Sequence, residues 1–560
     1  MDLVWLFALA LLLIATGIGL RDPWPPDEPR FALVARDMLA SGDWLLPRIG
    51  GQPYADKPPL FFWLIASGLE MTHSLRSAFL LPSFLAAFGC VALVYDLGRR
   101  LWNREAGLVG ALALLFTVQF VWQARQAQID ATLCFWTTLS LYGLLRHLLL
   151  GPSWRWYTIG WAAAGLGVIT KGVGFLPLLI LVPFALLRDP RWQPTKASGG
   201  GARWLLGPLA FLAAISIWLV PMLIAASDDP MLAAYRDEIL FEQTLTRYGN
   251  AWHHREPFWY FLVEVIPALW LPLTLLVPWL IFHWRDALRS FDLRIALLAS
   301  WIVLVVLFFS FSTGKRGVYV LPALPVLALL CAPYLAQVAA RRSAQRAMFI
   351  LAAVASGLCA ATWIYLLVRP HARADIVAAY DLDPLGPLIL MTIAGAVICA
   401  IARPRRGFLA FGSMIATALL IVSFWVNPQL NDARSGESFV ARIEQAADPQ
   451  HELGLVAFKE QYLLRARRPI VHFGHARWRE GDQEAADAAL WLSERPGRQL
   501  VINDEARATC FSNAPTQSLG TANRSGWHLV REGANPSCVA RGKRHAEHYY
   551  LPPDGTRLRS

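Results

Sequence analysis

The chain has 560 residues, is 56% hydrophobic and only 16% charged, and has a mean hydropathy of +0.41. That balance excludes a soluble multidomain protein and fits a polytopic membrane protein, with 24 tryptophans and 14 tyrosines available as interfacial anchors. The formal net charge is +11. The basic residues sit in short loops between apolar runs rather than in one stripe, which argues against nucleic acid as a partner.

In chain order, MDLVW has no basic leader, and no small-x-small cleavage site follows Val4 to Leu20. The N-terminus therefore reads as a first membrane helix rather than a removable signal. Crossing about 30 Å of hydrocarbon takes ~17–25 residues. Apolar runs of that kind fall near 4–20, 77–98, 106–122, 132–150, 157–170, 173–187, 204–226, 258–283, 295–312, 318–340, 347–368, 385–402 and 407–426. They predict about thirteen helices. The pair on either side of Lys171 is the shortest.

Loop charge gives the expected sides. Loops 99–105, 146–156, 188–203, 285–294, 341–346 and 403–406 hold about 18 Lys and Arg. The alternating set, with Arg125, Lys171, Lys315, Arg316, Arg369 and Arg373, holds about 6. The first set is expected in the cytoplasm. Loops 21–76 and 227–256, the short loops at 123–131, 169–172 and 313–317, and the tail are expected outside.

The expected division is a membrane domain over residues 1–426 and a small α/β domain over 427–560. LGLVAF (453–458), PIVHFG (469–474), RQLVIND (498–504) and GWHLVRE (526–532) read as strands. ESFVARIEQAA and QEAADAALWLSE read as amphipathic helices. Outside the cytoplasm Cys510 and Cys538 can pair as a disulfide. Cys90, Cys134, Cys331, Cys359 and Cys399 lie in apolar runs and read as small buried hydrophobes.

The charged residues that border these runs carry the chemistry. Asp27 and Glu28 follow PWPP, and two readings stay open: a paired-carboxylate site, or a helix start with Asp27 as cap and Glu28 in the first turn. YADKPP places Tyr54, Asp56 and Lys57 ahead of FFWLIASGLEM, which can lie in the interface. Lys57 there can hold a phosphate as a point charge or snorkel to the headgroups. GKRGVYVLP repeats the pattern with Lys315, Arg316 and Tyr319. Asp130 stands at the mouth of the fourth span, where an acid caps a helix or serves a function. Lys171, in VITKGVGF, is similarly placed. The loop FEQTLTRYGNAWHHREPFWYF offers Glu242, Arg247, Tyr248, His253, His254 and Arg255, and an adjacent His pair is weak support for a metal. Phosphate-loop, GxSxG and HExxH patterns are missing from the sequence, so ATP use and serine or zinc hydrolysis lack support.

Taken together, DEPRFA, ASGDWLLPRIGGQPYADKPPLFFW, QIDATLCFW, TKG, HREPFWYF and KRGVYVLP resemble the bacterial lipid A aminoarabinose transferases. Those enzymes sit within the wider superfamily of the protein O-mannosyltransferases. The resemblance covers residues 20–340. It implies a GT-C type multi-span fold in the inner membrane, an active site on the periplasmic side and a soluble C-terminal domain. It also implies an undecaprenyl-phosphate 4-amino-4-deoxy-L-arabinose donor, a lipid A phosphate acceptor and polymyxin resistance as a consequence.

By similarity Asp27 and Asp130 are the essential acids, with Glu28 beside Asp27. Lys57, Tyr54, Arg247 and Lys315 would hold the carrier phosphate, with Arg30, Arg316 and Tyr319 in the same motifs. Asp56 and His254 match a metal-binding pair, here with Asp where the family pattern has Glu, which implies a divalent metal such as zinc and no nucleotide cofactor. The tail segment NPQLNDARSGESF looks more like the broader superfamily. Transfer of another sugar, or transfer to a protein hydroxyl, is therefore the alternative reading. A lipid transporter is the alternative of a different class. It would favour internal repeats and charges at mid-membrane, whereas this sequence shows no repeat and crowds its polar clusters at helix ends. Expected partners are the lipid-linked donor, lipid A and membrane lipids, with the protein itself a monomer.

Overall fold

The computed structural model of the chain describes residues 2–187, 189–192, 201–241, 256–475, 477–544 and 547–552. Among these residues each of the thirteen apolar runs is helical over most of its length. Seven helices are by themselves long and apolar enough to cross a membrane, and up to nine if two bent pairs each count as one span. The first run is shorter than expected. Its helical turns cover Asp2–Ala10 and Leu11–Ala15. They stop there because Gly17 and Gly19 take φ of +93° and +83°, a region helices do not use.

The bent pairs help to build one end of the bundle. Arg104–Leu115 meets Val118–Ala124 at 68°, and Phe261–Leu269 meets Leu273–Arg289 at 104°. A broken helix must find other partners for its backbone groups when water is excluded. Here the two breaks face each other. The Val118 amide donates to the Leu271 carbonyl at 2.9 Å. The Gln119 side chain accepts from the Trp270 indole and donates to the Gly317 carbonyl, both at 2.8 Å. These bonds tie down the loop that carries Lys315 and Arg316.

A second device is the hairpin of helices Ile129–Leu149 and Trp154–Lys171. A Cβ on Gly143 would lie 2.4 Å from the Trp156 carbonyl, and one on Gly160 would lie 2.9 Å from the Ser140 carbonyl. Only glycine permits this approach, the small-residue contact typical of membrane helices. At the far end of the hairpin Asp130, in the first turn of one helix, meets Lys171, in the last turn of the other.

FFWLIASGLEM forms the helix Leu60–Thr72, which buries Phe61, Phe62, Ile65 and Leu69. It packs on the helix Glu28–Ser41 through Phe31, whose ring lies 5.4 Å from that of Phe61. A short hairpin, β1 (Arg48–Ile49) with β2 (Gln52–Pro53), joins the two helices.

At the other end of the chain, helix Gly407–Ile421 runs through Val422–Val426 into Asn427–Ser435, so the expected boundary at residue 426 falls inside a continuous helical stretch. Gly436, with φ +71°, ends it. Beyond lies a six-stranded sheet of β3 (Leu453–Leu455), β4 (Ile470–His472), β5 (Gln499–Asn503), β6 (Thr516–Ala522), β7 (Ser525–Val530) and β8 (His548–Tyr550), in the order β6-β7-β5-β3-β4-β8. The strand β3 is parallel to β4 and β5, and the other pairs are antiparallel. The four expected strands and two expected helices are present, and β6 and β8 add to them. Cys510 and Cys538 form a disulfide with Cα atoms 5.6 Å apart.

The helix after β3, Glu460–Arg465, and the helix after β4, Gln483–Glu494, lie on opposite faces of the sheet. Tyr462 and Leu463 join one buried cluster, whereas Ala485 and Trp491 join another. The first cluster is shared with the opening loop: Phe31, Met38, Ile49 and Phe61 pack with Phe439, Leu463 and Tyr550. A polar seam reinforces it. Asp22, 1% exposed, accepts from Arg76 at 2.9 Å and from Asn431 at 2.7 Å, and pairs with Arg465. Arg36 donates to the carbonyls of Leu463 and Leu464 and to Tyr550. The opening loop and the tail therefore fold against one another as a unit.

Candidate functional site

Asp27 precedes the helix Glu28–Ser41 but its side chain makes no capping bond. Its Oδ2 instead accepts from Arg316 at 2.9 Å and from the Gln128 amide at 3.4 Å. Its Oδ1 lies 4.0 Å from Arg30. Burial alone would raise this carboxyl, but the Arg316 guanidinium, with Arg30 and Gln128, outweighs it and holds Asp27 below its ordinary value. Asp27 is thus a buried anion.

Glu28 has a different role from the one expected beside Asp27. Arg21 grips its two oxygens at 2.5 and 2.7 Å, and the amides of Trp24 and Ala127 add bonds of 2.9 and 3.0 Å. With four donors in place, Glu28 pins the opening loop to the segment before Asp130. It is not a free acid.

Asp130 is 3% exposed and accepts from the Lys171 ammonium at 2.5 Å. Lys171 also sits 4.4 Å from the centre of the Tyr319 ring, a cation–π distance. Arg316 lies within electrostatic reach of Asp130 as well as Asp27. Asp27, Arg316, Asp130, Lys171 and Tyr319 thus form one contiguous group drawn from four separate stretches of sequence.

On its other side the group runs on to Tyr54, which is buried. Arg30, Asp27 and Asp56 all bear on its hydroxyl, and burial holds that hydroxyl well above its ordinary value, so it stays a neutral donor. Arg30 donates through Nε to Glu460 at 2.9 Å. Glu460 lies 3.4 Å from the His475 ring nitrogen, and the His475 ring stands edge-on to Tyr54 at 6.2 Å. Burial would raise Glu460, but His475 and Arg30 bring it down to about 2.

Two expected phosphate-binding cations each donate to a backbone carbonyl. Lys57 donates to the Asp56 carbonyl at 2.9 Å, and Lys315 donates to the Glu256 carbonyl at 2.7 Å. Arg247 and His254, with Glu242, Tyr248, His253 and Arg255, lie outside the described residues. Among the described residues no three His, Cys, Asp or Glu side chains are grouped to hold a metal ion.

Gln128, Glu460 and His475 join the site without having been legible as site residues. Lys171 and Asp130 each stand out beside apolar runs, but their pairing does not. Glu460 carried no signal at all, because it reaches Arg30 across 430 residues of chain.

Fold and site together define a class: a multi-span membrane protein whose acids and cations gather where the helical bundle meets an α/β domain. Among solved structures, the chain is similar in fold to ArnT. The structure of ArnT from Cupriavidus metallidurans bound to undecaprenyl phosphate matches with a TM-score of 0.75 at 22% identity, covering 95% of this chain and 99% of that one. The apo form gives 0.73. In sequence, the chain is similar to the undecaprenyl phosphate-alpha-4-amino-4-deoxy-L-arabinose arabinosyl transferase 1 of Pseudomonas fluorescens, at 33% identity over 340 residues. That match covers 58% of this chain and 59% of the relative. The Pseudomonas aeruginosa transferase of the same name is 33% identical over 344 residues, 59% of each chain. The chain thus spans about three-fifths of the length of the curated relatives it matches. A family model described as dolichyl-phosphate-mannose-protein mannosyltransferase matches residues 56–220.

Proposed function

We propose that the protein is an inverting glycosyltransferase that moves 4-amino-4-deoxy-L-arabinose from undecaprenyl phosphate to a lipid A phosphate at the periplasmic face of the inner membrane. The observation that carries this reading is the meeting of Asp27 and Asp130 through Arg316 and Lys171. It is supported by the names of the relatives, by the ArnT fold and by the loop charges, which put this end of the bundle outside the cytoplasm.

In the reaction the sugar C1–O bond to the carrier phosphate breaks, and its electron pair leaves on the phosphate oxygen. An acceptor phosphate oxygen attacks C1 from the opposite face, so the anomeric configuration inverts. The leaving group is an anion and needs no general acid. An ionised phosphate acceptor needs no base, so no proton has to move. The requirement is positive charge where the leaving oxygen becomes negative, and negative charge beside the oxocarbenium-like carbon. Lys57 and Lys315 supply the first with Arg247, and Tyr54 adds a neutral hydroxyl donor. Asp27 and Asp130 supply the second and orient the sugar's ammonium. Asp56 offers a single carboxylate beside Tyr54, and the scheme routes nothing through a metal.

The test is mass spectrometry of lipid A from a deletion strain carrying either the intact gene or Asp27→Ala. An aminoarabinose increment with the intact gene alone is the expected result. Unmodified lipid A, with the protein present in the membrane, would overturn the donor–acceptor assignment and leave the alternative of another sugar or a protein hydroxyl. A hydroxyl acceptor would require Asp27 to take a proton as general base.

A further inference from the structure

Glu460 and His475 come from the far end of the chain, and the sheet topology explains how they reach the site. Glu460 follows β3 and His475 follows β4, two adjacent parallel strands whose next helices leave to opposite faces. The crevice outside the carboxyl ends of such strands is where open α/β sheets hold their ligands. Here the β1–β2 hairpin fills it. The His475 amide donates to Gln52 at 2.8 Å, and His472 bonds the Gly50 carbonyl at 2.7 Å. A Cβ at Gly50, whose φ is +57°, would lie 2.9 Å from the His472 ring. The hairpin is thus seated closely enough to fix where Arg30 can reach.

Arg30 stands between two carboxylates, Glu460 and Asp27. It bonds Glu460 at 2.9 Å but stops 4.0 Å from Asp27, beyond hydrogen-bonding distance. We propose that Glu460, backed by His475, is a positioning residue that holds Arg30 off Asp27 and so keeps the Asp27 carboxylate open toward the reacting centre. Without the charge at 460, Asp27 is the remaining carboxylate that bears on Arg30. The guanidinium closes on it, and the 4.0 Å ion pair tightens to a hydrogen-bonded one beside that of Arg316. The C-terminal domain therefore completes the site instead of merely covering it. The kinetic part of this inference rests on the transferase reading, and the chemical part does not.

The experiment measures carbodiimide labelling of Asp27 against pH in the full-length protein in detergent, read by peptide mass mapping with no donor present. Carbodiimide takes the protonated carboxyl, so the labelling midpoint reports Asp27. Glu460→Gln is expected to lower that midpoint by about one pH unit, since Arg30 gains Asp27 as partner. A purely structural role would loosen the pairings and raise the midpoint, so a rise or no change overturns the inference. His475→Gln leaves the Glu460 charge in place and should give a smaller fall. It also decides the matter if Glu460→Gln does not fold. With the aminoarabinose donor, Glu460→Gln should lower kcat roughly tenfold, the effect of one charge-assisted contact, with donor KM within about twofold. A parent protein that transfers no aminoarabinose would sink the sugar assignment, while the labelling would still decide the role of Glu460.

Discussion

Replacing Glu28 with Gln separates the two readings of the DEPR motif. In the parent, the Arg21–Glu28 pair is buried on both sides, with side chains 6% and 7% exposed, so solvent screening takes little from it. Breaking one partner of such a pair costs about 3–5 kcal/mol, because the other charge stays behind in a dry site. Glutamine keeps the shape and one acceptor oxygen, but it turns an NH2 group toward a site lined by donors: Arg21 and the amides of Trp24 and Ala127. Arg21 keeps the carbonyls of Asp22 and Arg125, each at 3.1 Å, and the rings of Trp24 and Phe79, but loses its counter-charge. The expected loss is therefore about 3 kcal/mol, near the low end of that range. The assay is thermal unfolding in detergent together with turnover per folded molecule. The melting point should fall clearly, while the folded fraction keeps turnover within about tenfold of the parent, the scale of one lost positioning contact. A variant that melts with the parent yet has no turnover would refute this reasoning and return Glu28 to the catalytic group.

Lys171→Met should abolish transfer with little loss of donor binding, because it strips Asp130 of its cation, and Lys171→Arg should recover part of the activity. Donor binding and turnover measured side by side check this. Cys510→Ser with Cys538→Ser should destabilise the C-terminal domain by about 3.6 kcal/mol, the loop-closure value for a separation of 28 residues, as read by hydrogen exchange. His472 gives a pH effect. Burial, with His548 and His475 nearby, lowers it from 6.5 to about 4 in the fold. Its contribution to hairpin docking is therefore complete above about pH 6.5 and lost as the pH falls through about 4, at up to about 1.4 kcal/mol per pH unit. Asp37 opposes it, since burial raises that carboxyl to about 7 and favours its protonated form in the fold. The difference in hairpin exchange between parent and His472→Asn isolates the histidine, and an unchanged pH slope would contradict this assignment.

What was legible in the sequence follows physical range. Hydropathy marked the helices because burial in lipid is written residue by residue along the chain. Short apolar runs marked β3, β4, β5 and β7, which bury consecutive residues. The strand β6 is mostly exposed and β8 buries only Tyr550, so neither carries an apolar run. The acids Asp27 and Asp130 stood out because a carboxylate beside an apolar run is costly and rare. Their partners were hidden. Nothing local says that Arg316 turns to Asp27, that Lys171 turns to Asp130, or that Glu28, one residue from Asp27, faces a different guanidinium. Those choices belong to the crossing of helices at Gly143 and Gly160 and to the sutured breaks near Leu271. Both are contacts between distant segments.

The charge arrangement adds a constraint on how a phosphate can bind. Asp27, Asp130 and Glu460 are matched by Arg316, Lys171 and Arg30, so the connected group is close to neutral before any donor arrives. A phosphate that took its partners from these pairs would strand a buried carboxylate, at a cost of several kcal/mol. Lys57 and Lys315 each donate to a backbone carbonyl, which a phosphate oxygen can replace far more cheaply than it can a buried carboxylate. Recognition of the carrier phosphate should therefore fall to these two lysines and turnover to the paired acids. Lys57→Ala and Lys315→Ala should raise donor KM by about tenfold each, the value of one charge-assisted contact, with smaller effects on kcat. Asp27→Asn should do the reverse, lowering kcat at nearly constant KM. Equal losses of kcat and KM at all three positions would mean that acid and phosphate sites are one, and the division of labour would have to be abandoned.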